Sequence, residues 1–281
     1  MAEINSILTA LAEASSEVAA LATLVSVEGS SYRRPGARLL VFSGGRRVGS
    51  ISGGCLEDDM ILRATRVLRS GRVEIATYDT TSENDIVWGV GLGCRGVVTI
   101  FIEPIPVQRP RWISVLADDQ AARRHTRLVV AVDEAFAERR GTYIEAEAPR
   151  ITGTARVFEQ LMVPPPSLIL FGAGDDVQPL VRLAREVGWR VTVVDSRAAY
   201  ATATRFPEAD AIMVATPEAL DGVLKIDGET FVVVMTHRFA EDEKLLRKLL
   251  PRSVAYLGVL GPRQRTDRLL AQLAAEGLAA N

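Results

Sequence analysis

Cysteine and histidine are nearly missing from this chain: its 281 residues include two of each. Two cysteines cannot form the disulfide framework of a small secreted domain, so free thiols in a reducing cytoplasm are expected. Cys55 and Cys94 stand far apart in sequence, without a CxxC pair or an adjacent histidine, so the usual spacing of a zinc site is lacking. His125 and His237 fall in other segments, and no catalytic triad presents itself. No apolar run reaches the roughly 18–20 residues of a membrane span. The opening Met1-Ala2-Glu3-Ile4-Asn5 has neither the basic nor the apolar part of a secretory signal. An excess of charge of one sign is absent too, since 33 Lys and Arg face 35 Asp and Glu. Neither a nucleic acid nor a membrane is therefore an expected partner.

What is present is enough apolar residue, 48% of the chain, to fill real cores, in a length that favours two domains. Ile4, Ile7, Leu8 and Leu11 recur at helical spacing, and Leu21 to Val27 reads as a buried strand. Arg38 to Phe42 and Arg47 to Ile51 form a hairpin pattern around Ser43-Gly44-Gly45-Arg46. A helix is expected from about Met60 to Ser70-Gly71, then strands at Val73–Tyr78 and Val97–Ile102. Residues 104–163 carry a weak pattern, with one strand expected at Arg127–Val132 between short helices. Pro164-Pro165-Pro166 is a stiff break. The expected division is an N-terminal mixed α+β domain over 1–163 and a second domain over 164–281.

The second half is more regular. Apolar strands at Leu168–Phe171, Val191–Val194, Ala211–Val214, Phe231–Met235 and Val254–Leu257 alternate with helical stretches, the pattern of a Rossmann-like, doubly wound parallel sheet. Gly172-Ala173-Gly174 ends the first of these strands, where backbone amides and a helix N-terminus would face a phosphate. Asp195 ends the second strand at the spacing expected for a ribose contact. Val177 stands where the third glycine of that fingerprint would be. Asp175 and Asp176 are expected to satisfy the helix N-terminus themselves and to repel a pyrophosphate. Arg263 and Arg265, after Gly258 and Gly261, offer forks for phosphate. Thr236-His237-Arg238 falls at the ligand-facing edge of the sheet.

In the first half, Cys55 and Cys94 are each flanked by glycines, in Ser52-Gly53-Gly54-Cys55-Leu56-Glu57 and Gly91-Leu92-Gly93-Cys94-Arg95-Gly96. A third polar loop carries Ser30, Ser31 and Arg33. Cys55 opens a helix, which favours the thiolate, while Glu57, Asp58 and Asp59 oppose it.

Together these motifs resemble the xanthine dehydrogenase accessory family, XdhC/CoxI. The resemblance rests on Glu28-Gly29-Ser30-Ser31 with Arg34-Pro35-Gly36-Ala37, Gly49 to Glu57, and Gly93-Cys94-Arg95-Gly96. It continues through Phe171 to Gly174, Val194-Asp195-Ser196-Arg197, Thr236-His237, and Gly258 to Arg265. It implies a chaperone that binds molybdenum cofactor (molybdopterin, in its plain or dinucleotide form), protects it during sulfuration and delivers it to a hydroxylase such as xanthine dehydrogenase. A cysteine desulfurase and a second copy of the chain are further implied partners. Ser30, Ser31, Gly53, Gly54, Cys55, Glu57, Gly93 and Cys94 would contact the cofactor, with the two thiols at molybdenum or its sulfur ligand. Gly172, Gly174, Asp195, Arg197, His237, Gly261, Arg263 and Arg265 would serve the second domain. The alternatives are an NAD(P)-dependent oxidoreductase, disfavoured by the acidic helix entrance, and a nucleotide-sensing scaffold.

Overall fold

Alternation along single strands decides how both five-stranded sheets are covered. The computed structural model describes residues 2–79, 81, 95–150, 155–222 and 224–278. They divide into a unit spanning Met1–Pro164 and another spanning Pro165–Asn281.

In unit 1, α1 (Ala2–Glu13) precedes β1 (Ala19–Gly29), β2 (Arg38–Phe42) and β3 (Arg47–Gly49). Next come α2 (Glu57–Ser70), β4 (Glu74–Asp79) and β5 (Gly96–Ile105). The strands form an antiparallel sheet in the order β3-β2-β1-β5-β4. Side chains of a strand point alternately to its two faces. On β1, Ala20, Ala22 and Leu24 pack with Met60, Ala64 and Val67 of α2. Ala19 and Leu21 face the other way, toward Ile7 and Leu11 of α1. Gly71 closes α2 in the left-handed conformation, and its amide donates to Val67 O.

The weakly patterned segment is a second sheet. After α3 (Arg111–Ala121), β6 (Thr126–Ala131) pairs antiparallel with both β7 (Gly141–Ile144) and β8 (Val157–Met162). Trp112 and Leu116 of α3 join the cluster below α1. Two polar links tie the sheets together: Arg38 on β2 donates to half-buried Gln160 Oε1 on β8 at 2.7 Å, and buried Glu103 on β5 accepts from the Thr142 amide on β7 at 3.0 Å. Burial pushes the Arg38 pKa down to about 10, against the pull of Glu103 and Glu3. Burial likewise pushes Glu103 up, although Thr142 holds it back.

Unit 2 is a parallel sheet in the order β11-β10-β9-β12-β13. Its strands are β9 (Ser167–Phe171), β10 (Arg190–Asp195), β11 (Ala211–Val214), β12 (Thr230–Val234) and β13 (Tyr256–Val259). Central β9 is buried on both faces, as its continuous apolar run requires. Leu168 and Leu170 meet Val177 and Val181 of α4 (Val177–Glu186). Ile169 and Phe171 meet the opposite layer, where Leu245 and Leu249 of α5 (Phe239–Leu249) and Leu269 of α6 (Arg263–Ala275) pack.

Two sequence expectations change here. The last strand begins two residues later than expected, because its pairing with β12 sets Tyr256 opposite Phe231. The link between β10 and β11 is built of turns, and among the described residues the helical part of the link between β11 and β12 is a short 3₁₀ turn at Pro217–Leu220, so helices do not alternate with every strand. Among the described residues, no helix is long and apolar enough to cross a membrane.

Candidate functional site

In unit 1, Glu57 organises the cysteine loop. It is buried, and its carboxylate turns back over residues 50–56 rather than out of the helix. Oε1 accepts from Ser50 Oγ at 2.7 Å and the Ser52 amide at 2.9 Å. Oε2 accepts from Ser52 Oγ, from the Gly54 amide at 3.0 Å and from the Leu56 amide at 3.2 Å. Burial alone would raise its pKa, but the Ser52 and Ser50 hydroxyls and the Ser52 amide outweigh it and set it at about 2. The amides of Ser52, Gly54 and Leu56 are thus taken by the chain's own carboxylate and are not left for a ligand's anion. Cys55 lies between two of these tethered amides and is a free, exposed thiol. It precedes α2, which begins at Glu57. Asp59, also expected to bear on the thiol, instead bonds Arg63 and the Tyr78 hydroxyl.

The Ser30 loop joins the same neighbourhood. Ser30 Oγ accepts from the Arg95 amide at 3.0 Å, and the Ser30 amide donates to Arg95 O at 3.0 Å. Nearby, the Tyr32 ring crowds Gly53, where a Cβ would lie 2.9 Å from Cε1. Arg33, on the same loop, forms an ion pair with Glu3 of α1. Ser31 sits between these anchors. Gly93 and Cys94 lie outside the described residues. Among the described residues, no three metal-ligating side chains cluster.

In unit 2 the sheet order reverses between β9 and β12, the point at which open α/β sheets hold ligands. Gly172 (φ +120°) fits there because a Cβ would sit 2.3 Å from Met235 O. Gly174 follows on the same loop. The acids beside it do not cap α4, contrary to the sequence expectation. Asp176 occupies the N-cap with helical backbone angles and no side-chain capping bond, and its Oδ2 lies 2.7 Å from His237 Nε2. A cap residue usually has extended angles that aim its oxygen at the helix amides; Asp176 does not. Asp175 pairs with Arg205 at 2.8 Å. His237 itself holds a left-handed conformation, φ +59°, uncommon outside glycine.

Asp195 is turned inward. It accepts from the Ala173 amide at 2.8 Å and from Arg197 through its amide, Nε and Nη2 at 2.8, 2.9 and 2.7 Å. Burial pushes its pKa up, but the Arg197 bonds and the Ala173 amide bring it below the usual range. With four donors on a wholly buried side chain, the carboxylate holds the glycine loop and has no remaining face for a ribose hydroxyl. Arg197 also lies 3.8 Å from the Tyr200 ring centroid. Arg265, expected to take phosphate, binds the buried Asp242 and ties α6 to α5. Gly261 precedes α6, and Arg263 begins that helix with its side chain almost fully exposed.

Sequence reasoning passed over Arg205, which carries no local signal, and gave Arg238 no role. Arg238 donates to Ser196 Oγ at 3.0 Å and lies 3.8 Å from Asp195. Asp176→Ala is expected to tighten inorganic pyrophosphate binding by about tenfold, because a negative charge leaves the helix entrance. Calorimetric titration of both proteins checks this, and unchanged affinity would remove Asp176 as a repelling group.

A Rossmann-type unit with an acid-guarded glycine loop, alongside a unit bearing an exposed thiol on a tethered loop, defines the class. The XdhC Rossmann domain matches residues 168–281, and the XdhC and CoxI family matches residues 12–79. A probable xanthine dehydrogenase subunit of Bacillus subtilis (strain 168) is 34% identical, over 96% of this chain and 87% of its own. The molybdenum cofactor insertion chaperone PaoD of Escherichia coli (strain K12) is 25% identical, over 89% of this chain and 70% of its own. A crystal structure of a Bacillus halodurans xanthine dehydrogenase superposes with a TM-score of 0.82 at 32% identity, covering 96% of this chain and 85% of that one. The chain belongs to the XdhC and CoxI family.

Proposed function

We propose that this protein binds molybdenum cofactor as cargo, protects it during sulfuration and passes it to a molybdenum hydroxylase of the xanthine dehydrogenase type. The relative PaoD, a molybdenum cofactor insertion chaperone, supports the cargo. The single structural observation behind the proposal is the exposed thiol of Cys55 on a loop whose shape Glu57 fixes. A thiolate is a soft ligand suited to molybdenum–sulfur chemistry. Ser30 and Tyr32 would flank the cargo from the neighbouring loop. On sequence grounds Cys94 is the second candidate thiol. A cysteine desulfurase and a second copy of the chain would be the other partners. The nicotinamide alternative draws on Asp195 for its ribose, and that carboxylate is filled.

Anaerobic titration of the purified protein with isolated cofactor tests this. Cys55→Ala is expected to weaken binding by about tenfold or more, and Cys94→Ala similarly. Wild-type affinity and full client activation by both variants would remove the thiol role. Failure of the folded wild type to bind the cofactor would remove the cargo itself.

A further inference from the structure

Among the described residues, Tyr32 is the most exposed large apolar or aromatic side chain, at 73%. It is nevertheless seated. A Cβ on Gly53 would lie 2.9, 3.0 and 3.2 Å from its Cε1, Cδ1 and Cζ. Three adjacent ring atoms at nearly one distance put that position over the face of the ring. An approach in the ring plane toward Cε1 would leave its two neighbours distinctly farther off. The Gly53 backbone therefore backs one face of the ring, and the side turned away from it meets solvent.

An aromatic face left in water forgoes the burial such a side chain usually gains. The chain still fixes this one from both directions. Two residues before it, the Ser30 amide donates to Arg95 O and Ser30 Oγ accepts from the Arg95 amide, each at 3.0 Å. Gly96 lies so close that a Cβ there would sit 2.5 Å from Ser30 O. One residue after it, Arg33 is ion-paired with Glu3 of α1. A held ring with one face backed and the other open is half of a stack, and a second flat, conjugated ring completes it.

The place of this half-stack indicates which part of a guest it meets. Gly53 is two residues from Cys55, a reach of about 7 Å at most. In molybdopterin the sulfurs that hold the metal are carried by the pterin itself, so a guest resting its metal end on the thiol brings its rings alongside. Glu57 already occupies the amides of Ser52, Gly54 and Leu56. The neighbourhood thus offers those rings a surface more than a set of hydrogen bonds.

We propose that Tyr32 reads the pterin of the cargo. Its open face stacks on the flat aminopyrimidinone ring while Cys55 meets the metal end, and Gly53 backs the stack. This inference rests on the cargo reading above and adds the part of the cofactor that is recognised without a thiol.

The test is anaerobic titration of the full chain with isolated molybdenum cofactor, followed through the pterin absorbance. Wild type, Tyr32→Phe and Tyr32→Leu are compared, with circular dichroism to show each folded. Tyr32→Phe keeps the ring and should bind within about twofold of wild type, whereas Tyr32→Leu keeps apolar bulk without a face and should bind about tenfold more weakly. At saturation the pterin band should be perturbed by wild type and Tyr32→Phe and left unshifted by Tyr32→Leu. Wild-type affinity in Tyr32→Leu overturns the stack, as does an equal loss in both variants. Either result leaves the cargo standing, because the wild type still binds it. Failure of the folded wild type to bind removes the cargo, and this inference with it.

Discussion

Gly172→Val is expected to destabilise unit 2 strongly. The residue holds φ +120°, and the missing Cβ would lie 2.3 Å from Met235 O and 3.0 Å from the Thr236 amide nitrogen. Both atoms are backbone, so no rotamer change can relieve the contact. The Gly172 amide also donates to Val194 O, and the Met235 amide donates to Phe171 O, which fixes the loop against its neighbours. A β-branched side chain here must either break these bonds or force β9 and β12 apart. The cost is about 3 kcal/mol or more, a large part of what a domain of this size has in hand. Gly172→Ala should show a smaller loss of the same sign. Urea unfolding followed by tryptophan fluorescence, with Trp88→Phe and Trp112→Phe in the background so that Trp189 of unit 2 reports alone, would measure both, and a Gly172→Val variant within about 0.5 kcal/mol of its background would disprove the close approach.

Glu57→Gln is expected to cost about 2–3 kcal/mol at neutral pH, since an amide group can neither match the charge nor accept at both ends. The pH dependence follows from the depressed pKa. Glu57 titrates at about 2 in the fold, against an ordinary 4.5. Its stabilisation is therefore fully present above the unfolded value and is lost as pH falls from about 4.5 toward 2. Wild type and variant should differ most at about pH 7, and the gap should close only as pH approaches about 2. A gap of the same size at both pH values would show that the carboxylate's charge is not the source. Cys55 alkylation should also become less uniform in the variant, because residues 52–56 lose the group that gathers them.

The parallel sheet was legible because its strands are short, apolar and bounded by turn residues, with Leu168–Phe171 and Val191–Val194 uninterrupted by charged side chains. Helix α2 was legible through its Ser70-Gly71 stop. Of the second sheet of unit 1, the middle strand β6 was legible as the expected strand at Arg127–Val132, but its partners were not, since β8 mixes Glu159 and Gln160 into a strand that is mostly half-exposed. Such a pattern is not that of a strand buried on one face.

The site divides in the same way. Glycine positions and strand ends could be read from local sequence. Which way a charged side chain turns could not, because the deciding partner is remote: Arg95 for Ser30, Asp242 for Arg265, His237 for Asp176. Asp195 and Arg197 are only two residues apart, yet their pairing needs the bend after β10. Glu57 was singled out from its place in the loop, but its inward direction depends on Ser50 and Ser52 folding over it.

That inward carboxylate bears on how a guest molecule leaves. In many anion sites the departing ligand strips the amides of their acceptor, and the emptied loop must rearrange or rehydrate. Here Ser52, Gly54 and Leu56 keep their acceptor whether or not anything rests on Cys55. Unloading would expose no bare amide among these three, and the next molecule would meet the same surface as the last. Turnover of guests would then be governed by the thiol contact, with no refolding step in between.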